Sequence, residues 1–265
     1  MDFHRAASLA VSLVQDAGDL AVAELERARV EAKGEDGDLV THVDREAEHR
    51  IAAALAEHYP EHAVLGEENG EQGAAGDSRY RWLIDPLDGT NNYVLGLPVY
   101  GVCLTLCEDG EPVVAAVHDS PRRRTFWAVR GEGAWQQGAD MPRRLAVGTP
   151  QSLRTSTVSF TQGYRVGHDD ARRNAMFETL ERGTKRLLRT WAPSADWGLL
   201  VTGQLAALVA YRNEIWDLVG GTLLASEAGA AIASDDAGEL VVVGIPETVQ
   251  ELVGMLGADG GLSLR

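Results

Sequence analysis

Two aspartates three residues apart, Asp85 and Asp88, follow the apolar run Arg81-Trp82-Leu83-Ile84 and precede Gly89-Thr90. Pro86 between them has no N–H and a fixed φ, so it stiffens the link and lets both carboxylates address one pocket. The Leu87 carbonyl lies between the two acids as a free, neutral oxygen ligand. All-oxygen ligation without Cys or His selects a hard cation, and magnesium takes a few carboxylates while keeping several waters. Gly89 and Thr90 then offer amides at a helix start, where unsatisfied donors and the dipole favour an anion such as phosphate. Metal and phosphate therefore meet at one place. Taken alone, D-P-x-D-G-T is equally an ordinary turn with an Asp cap.

Three more acidic positions fit the same chemistry, each with an ordinary structural role beside it. Gly66-Glu67-Glu68 leaves a short strand for a loop, as a metal ligand or a solvated acidic turn would. Asp217 opens an apolar helix in Ile215-Trp216-Asp217-Leu218-Val219-Gly220-Gly221, where it is a ligand or an N-cap. Asp44 closes the T-x-x-D spacing of a capping box with Thr41. Clustered acids repel one another unless a cation neutralises them. The formal net charge of -16 also argues against nucleic acid and anionic membranes as partners. Cys103 and Cys107 read as buried free thiols, and Arg122-Arg123-Arg124 as a solvated turn.

The elements that must carry these residues are legible from periodicity. Apolar positions at helical spacing run from Phe3 to about Val30, and a second helix from about Asp44 to Tyr59. A strand over Ala63 to Leu65 leads into a loop over Asn69 to Ser78. The strand at Arg81 to Ile84 stops at Asp85. Strands at Val99 to Cys107, Val113 to His118 and Thr125 to Val129 make an antiparallel meander. Beyond Pro142 strands and helices alternate, which favours a layered α/β unit. The expected division is thus an N-terminal α+β part, 1–141, holding most metal ligands, and an α/β part, 142–265, carrying Asp217. No run approaches 18 consecutive apolar residues, and charges interrupt the first twenty positions, so neither a membrane span nor a signal peptide is expected and a cytoplasmic protein is.

In this company of motifs the chain resembles the inositol monophosphatase family, magnesium-dependent and typically lithium-sensitive phosphatases. The resemblance runs from Lys33, through Asp38-Leu39-Val40-Thr41 and Asp44, Gly66-Glu67-Glu68 and Asp85 to Tyr93, to Trp216-Asp217 and Gly220. It implies the alternating α-β-α-β-α sandwich of sugar phosphatases and a homodimer. It implies two to three Mg2+ ions, the first on Glu67, Asp85 and the Leu87 carbonyl, the second on Asp85, Asp88 and Asp217, and a third leaning on Glu67 and waters. Glu67, Thr90 and Asp44 would be catalytic, with Thr90 orienting the nucleophilic water, and the Gly89 and Thr90 amides would grip phosphate.

The chain departs from that family in its second half. Ala210 stands where inositol phosphatases carry a substrate-binding glutamate, with Glu214 out of register. Trp191-Ala192 stands where a Gly-Ser or Gly-Thr pair is usual. Trp191 either reshapes the pocket, offers a stacking face, or packs in the core. With Lys33, these positions are the candidates for substrate selection. The expected substrate is a small polyol, sugar, nucleoside or amino-alcohol phosphate. A bisphosphate nucleotide phosphatase, using Arg165, Arg172 or Arg189, and a non-catalytic binding protein are the alternatives.

Overall fold

The first helical period forms α1 (Phe3–Glu24), whose Asp2 cap accepts the Arg5 amide at 3.1 Å. The computed structural model describes residues 1–33, 38–74, 78–138, 141–149, 152–257 and 261–264. Helix α1 ends before Val30, which instead opens a hairpin of β1 (Val30–Lys33) and β2 (Asp38–Thr41) that periodicity did not reveal. Four-residue strands are too short to show a period of two. Thr41 then caps α2 (His42–His58). Its hydroxyl accepts the Val43 amide at 3.1 Å, and Asp44 accepts the Thr41 amide at 2.9 Å, completing the capping box.

Strands β3 (Ala63–Gly66), β4 (Gly70–Gly73) and β5 (Tyr80–Asp88) follow. The expected loop over 69–78 thus holds a strand, β4, and its residues 75–77 lie outside the described residues. Nor does β5 stop at Asp85: it continues to Asp88, with its pairing to the next strand irregular between the two aspartates, where Pro86 cannot donate. After α3 (Thr90–Val94) come β6 (Gly101–Glu108), β7 (Glu111–Asp119), β8 (Arg124–Val129), β9 (Ala134–Gln136) and β10 (Arg143–Arg144). Among the described residues this sheet has eight strands, in the order β10-β9-β8-β7-β6-β5-β3-β4, and its meander is antiparallel.

The second half alternates: β11 (Thr157–Gln162), α4 (Ala171–Gly183), β12 (Arg186–Leu188), α5 (Pro193–Val201), β13 (Ala207–Tyr211), α6 (Ile215–Glu227), β14 (Ala231–Ser234), β15 (Leu240–Gly244), α7 (Pro246–Leu256) and β16 (Ser263–Leu264). Its sheet runs β12-β11-β13-β15-β14-β16 and is mixed, with β11 parallel to both its neighbours.

Alternation along the strands explains the layering. Val114 and Ala116 of β7 face Val14 and Ile51 of α1 and α2, while Ala115 and Val117 face Trp197 and Leu224 of α5 and α6. In the second sheet Leu208 and Val243 share that middle core, whereas Val209 and Val242 pack on Leu180 and Val249 of α4 and α7. The result is α-β-α-β-α, with α5 and α6 between two sheets, the architecture the resemblance implied. A strand covered on both faces is apolar throughout, which is why β6 and β7 read as nearly continuous apolar runs.

By length and composition α1 is apolar enough to span a membrane, but half of its most apolar window is buried in the protein against the meander and α2. Arg122 and Arg124 pair with Asp119, and Arg123 with Asp19. Cys103 and Cys107 are buried and free.

Candidate active site

The end of β5, the start of α3 and the starts of α5 and α6 converge on one cleft. Glu67, Asp85, Leu87, Asp88, Gly89, Thr90, Trp191 and Asp217 line it, so most residues singled out from the sequence meet there. Each of Asp85, Asp88 and Asp217 brings a carboxylate oxygen within 4.8 Å of the others. Asp88 accepts the Ser194 amide at 2.6 Å, which uses an otherwise unsatisfied donor in the first turn of α5. Asp217 accepts from Asn213 Nδ2 at 3.3 Å. It sits in the first turn of α6, not at the N-cap, which is Glu214. Asp85 Oδ1 is buried and has no hydrogen-bond partner.

Two glycines on α6 make this approach possible. A Cβ on Gly220 would overlap Thr105 of β6, and one on Gly221 would overlap the Trp197 indole of α5. Trp197 is fully buried, and its Nε1 also donates to the Asp217 carbonyl at 2.9 Å, pinning the helix start. At the other side Gly89 has φ +82, and a Cβ there would stand 2.9 Å from Ala192 Cβ and 3.0 Å from the Val99 carbonyl. Only glycine takes that backbone conformation and that space together.

With no cation present the carboxylates cannot all ionise. Burial, then the neighbouring Glu67, Asp88 and Asp217, pushes Asp85 well above the usual range. Burial pushes Asp88 up to about 7 against the Ser194 hydrogen bonds, and burial with the Asp88 charge pushes Asp217 up to about 7. Glu67 is pushed up to about 8, burial outweighing the Lys33 ammonium at 2.9 Å. Lys33 also holds Glu68 at 2.8 Å; burial works to lower its pKa, but the two glutamates hold it above its ordinary value. Lys33 therefore braces the acidic wall and is not among the residues lining the cleft.

Behind the cleft Asp44 is buried, with its carboxyl raised by burial against the hydrogen bonds from Thr41 and Thr90. The Thr90 hydroxyl lies 2.8 Å from Asp44 Oδ1 and 2.9 Å from the Leu87 carbonyl. That carbonyl is thus not the free oxygen the sequence suggested, although its second lone pair stays available. Ala210 is buried inside β13 and does not line the cleft, because inward and outward positions alternate along the strand; Glu214, four residues on, does. Trp191 is on the cleft wall with φ +55, its ring stacked on Tyr164, so it is not core. Thr161, Gln162, Tyr164, Ser194 and Asn213 were not singled out from the sequence. Only Pro193-Ser194, a helix-start signal, had a readable cue.

Fold and site define an α-β-α-β-α sandwich with a buried acidic cleft, and the chain belongs to the inositol monophosphatase family, whose pattern it matches over residues 2–253. It is 35% identical over 231 residues to the Nus factor SuhB of Pseudomonas aeruginosa, covering 85% of this chain and 84% of that protein. It is 30% identical over 230 residues to the fructose-1,6-bisphosphatase/inositol-1-monophosphatase of Aquifex aeolicus, covering 87% and 81%. Among solved structures the extragenic suppressor protein suhB of Bartonella henselae superposes with a TM-score of 0.85 at 25% identity, over 95% of this chain and 98% of that one.

Proposed function

We propose that this protein is a magnesium-dependent phosphomonoesterase acting on a small phosphorylated metabolite, a polyol, sugar, nucleoside or amino-alcohol phosphate. The convergence of Asp85, Asp88 and Asp217 around the unpartnered Asp85 Oδ1 carries the reading. Buried acids at this spacing, with Lys33 engaged only on the Glu67 side, fit a hard cation in both charge and donor type. Glu67, Asp85 and the Leu87 carbonyl would hold one ion, and Asp85, Asp88 and Asp217 a second, with a third at Glu67. When bound, the ions lower the pKa of water and offset charge on phosphate and leaving oxygen.

The chain's own groups do the positioning. The Gly89 and Thr90 amides grip phosphate oxygens at the start of α3. Thr90 Oγ1, held by Asp44 Oδ1, orients the attacking water in line with the ester bond. The water oxygen bonds to phosphorus as the ester P–O bond breaks; inorganic phosphate and the protonated alcohol leave, one water being consumed. No side chain need become phosphorylated. Lithium inhibition and a homodimer belong to the same reading.

Magnesium-dependent phosphate release from a panel of phosphorylated metabolites, with and without lithium, tests it. Turnover that Asp217→Asn removes supports the reading. Release from no member despite bound metal would favour a binding protein on this fold, the alternative that the relative named Nus factor makes worth testing. A bisphosphate substrate needs a second cationic site. Arg172 is engaged by Asp235 and Glu239, and Arg189 lies against aromatic rings, which weighs against those two, leaving Arg165, 3.9 Å from the cleft residue Glu214, as the cation for such a substrate.

A further inference from the structure

The carboxylate cleft is small, about 40 Å³, but it opens past Trp191 into a second cavity of about 310 Å³. Gln162, Tyr164 and Trp191 line both spaces. The cleft has room for little beyond the reacting phosphate and waters, and the second cavity, which shares three wall residues with it, is the space into which the alcohol part of a substrate can extend. Asn91, Asn92, Leu95, 73% exposed, Val166 and His168 complete the wall there, and no carboxylate is among the residues that line it.

Two features make this wall a built surface. Trp191 holds φ +55, an unfavourable conformation for a bulky residue, and neighbouring bonds enforce it: Asn92 Nδ2 donates to the Thr190 carbonyl at 2.7 Å and the Ala192 amide to Thr190 Oγ1 at 3.2 Å. The Tyr164 ring, on a residue 41% exposed, stacks on the indole at 6.2 Å between centroids and 30° between planes. The Arg189 guanidinium lies 4.5 Å from the Trp191 centroid and donates to Gln162 Oε1 at 3.0 Å. A cation already against the indole opposes a second one on the same π-system. A cationic amino alcohol is therefore a poorer occupant than a neutral ring.

We infer that Trp191 and Tyr164 form a stacking subsite for the leaving group, selecting phosphomonoesters whose alcohol carries a neutral planar ring. This rests on the phosphomonoesterase reading above. The ring is that of a nucleobase or of a simple arene; both present the same π-face, and Asn91 and His168 beside the wall offer polar contacts that only a nucleobase edge can use.

Kinetics with magnesium on adenosine 5′-monophosphate, 2-phenylethyl phosphate, glycerol phosphate and phosphocholine test it. The ring-bearing esters are expected to exceed the other two by at least about tenfold in kcat/KM, from stacking of ordinary strength. Adenosine monophosphate above phenylethyl phosphate identifies a nucleobase, and the reverse an arene. Trp191→Gly, which also relieves the backbone, is expected to abolish that ratio through KM, Trp191→Phe to keep most of it, and Tyr164→Ala to reduce it should the glycine variant not fold. Quenching of indole fluorescence by adenosine monophosphate, present in the native protein and lost in Trp191→Phe, reads the same contact without turnover. Ratios within about threefold of unity, or unchanged in every variant, overturn the subsite and leave the phosphatase reading standing. Release from no ester overturns the reading on which it rests.

Discussion

Asp88 and Asp217 illustrate how function opposes stability at a single residue. Both are pushed up to about 7 by burial and, for Asp217, by the Asp88 charge, so at neutral pH the metal-free cleft stores repulsion. Replacing either by Asn removes a charge while keeping the shape, and Asn can still accept from Ser194 or Asn213. We expect Asp88→Asn and Asp217→Asn to raise the melting temperature in chelator and to lower magnesium-dependent turnover by roughly a thousandfold. Melting curves in chelator and phosphate release measure the two; an unchanged turnover would remove the residue from the metal site. Gly89→Ala tests the opposite case, a residue chosen for its backbone. A Cβ at φ +82, pressed between Ala192 and Val99, should cost about 1–3 kcal/mol, seen as a lower denaturation midpoint. The chemistry-bearing types were readable at this scale because Asp, Pro and Gly in D-P-x-D-G-T each have a physical role that spacing reveals. Tyr164 was not, because a lone aromatic reads as core until its neighbours are known, and for Trp191 spacing left a reshaped pocket, a stacking face and the core all open.

At the scale of elements, α6 is the part on which the site depends most. Its Gly220-Gly221 pair lets backbone lie against Thr105 and Trp197, and this close approach brings Asp217 to the end of β5. Gly221→Ala would drive a methyl group into the Trp197 indole. It should cost about 1–3 kcal/mol as overpacking and, by displacing Asp217, weaken magnesium binding as well. Calorimetric titration with magnesium alongside denaturant unfolding separates the two effects, and a stability loss with unaltered metal affinity would detach α6 packing from the site. Thr41→Ala should destabilise by about 1 kcal/mol through loss of the α2 cap. Because Asp44 then loses the Thr41 hydroxyl, keeping only the amide of residue 41 beside Thr90, turnover should fall as well. The long periodic helices and the meander were visible in the sequence. The short strands β1, β2, β4, β9 and β10 were not, since two to four residues hold too little pattern, and pairing partners far along the chain decide them.

Over the whole molecule the clustered acids couple folding to pH and to metal. The folded pKa values of Asp88, Asp217 and Glu67 lie at about 7, 7 and 8, above ordinary values of 3.8 and 4.5. Raised folded values mean that the native state binds more protons than the unfolded chain between these limits. Their contribution is fully present below about 4 and is lost as pH rises through 7 and 8. Metal-free protein should therefore lose stability as pH rises from about 4 to about 8 and level off above that, and magnesium at a hundred times its Kd should restore about 2.7 kcal/mol. Urea unfolding at several pH values, with and without magnesium, checks both signs; stability that rises over this window in chelator would refute the account.

Residue type and local spacing, by themselves, pointed to the proposed metal-phosphate chemistry at Asp85, Asp88, Gly89 and Thr90 and gave the capping box at Thr41 and Asp44, while the motifs together carried the family resemblance that implied five layers. The first two follow from hydrogen-bonding valence and backbone restriction, which act within a few residues. Tertiary structure brought Glu67 and Asp217, 150 residues apart in numbering, to a wall shared with Asp85, as the resemblance implied, and it alone decided that Lys33 braces that wall and that Ala210 lies outside it. It also turned Trp191 toward Tyr164 and the second cavity. Such placements depend on which faces of two sheets pack together, and burial and strand pairing between distant segments settle that only when the whole chain is folded.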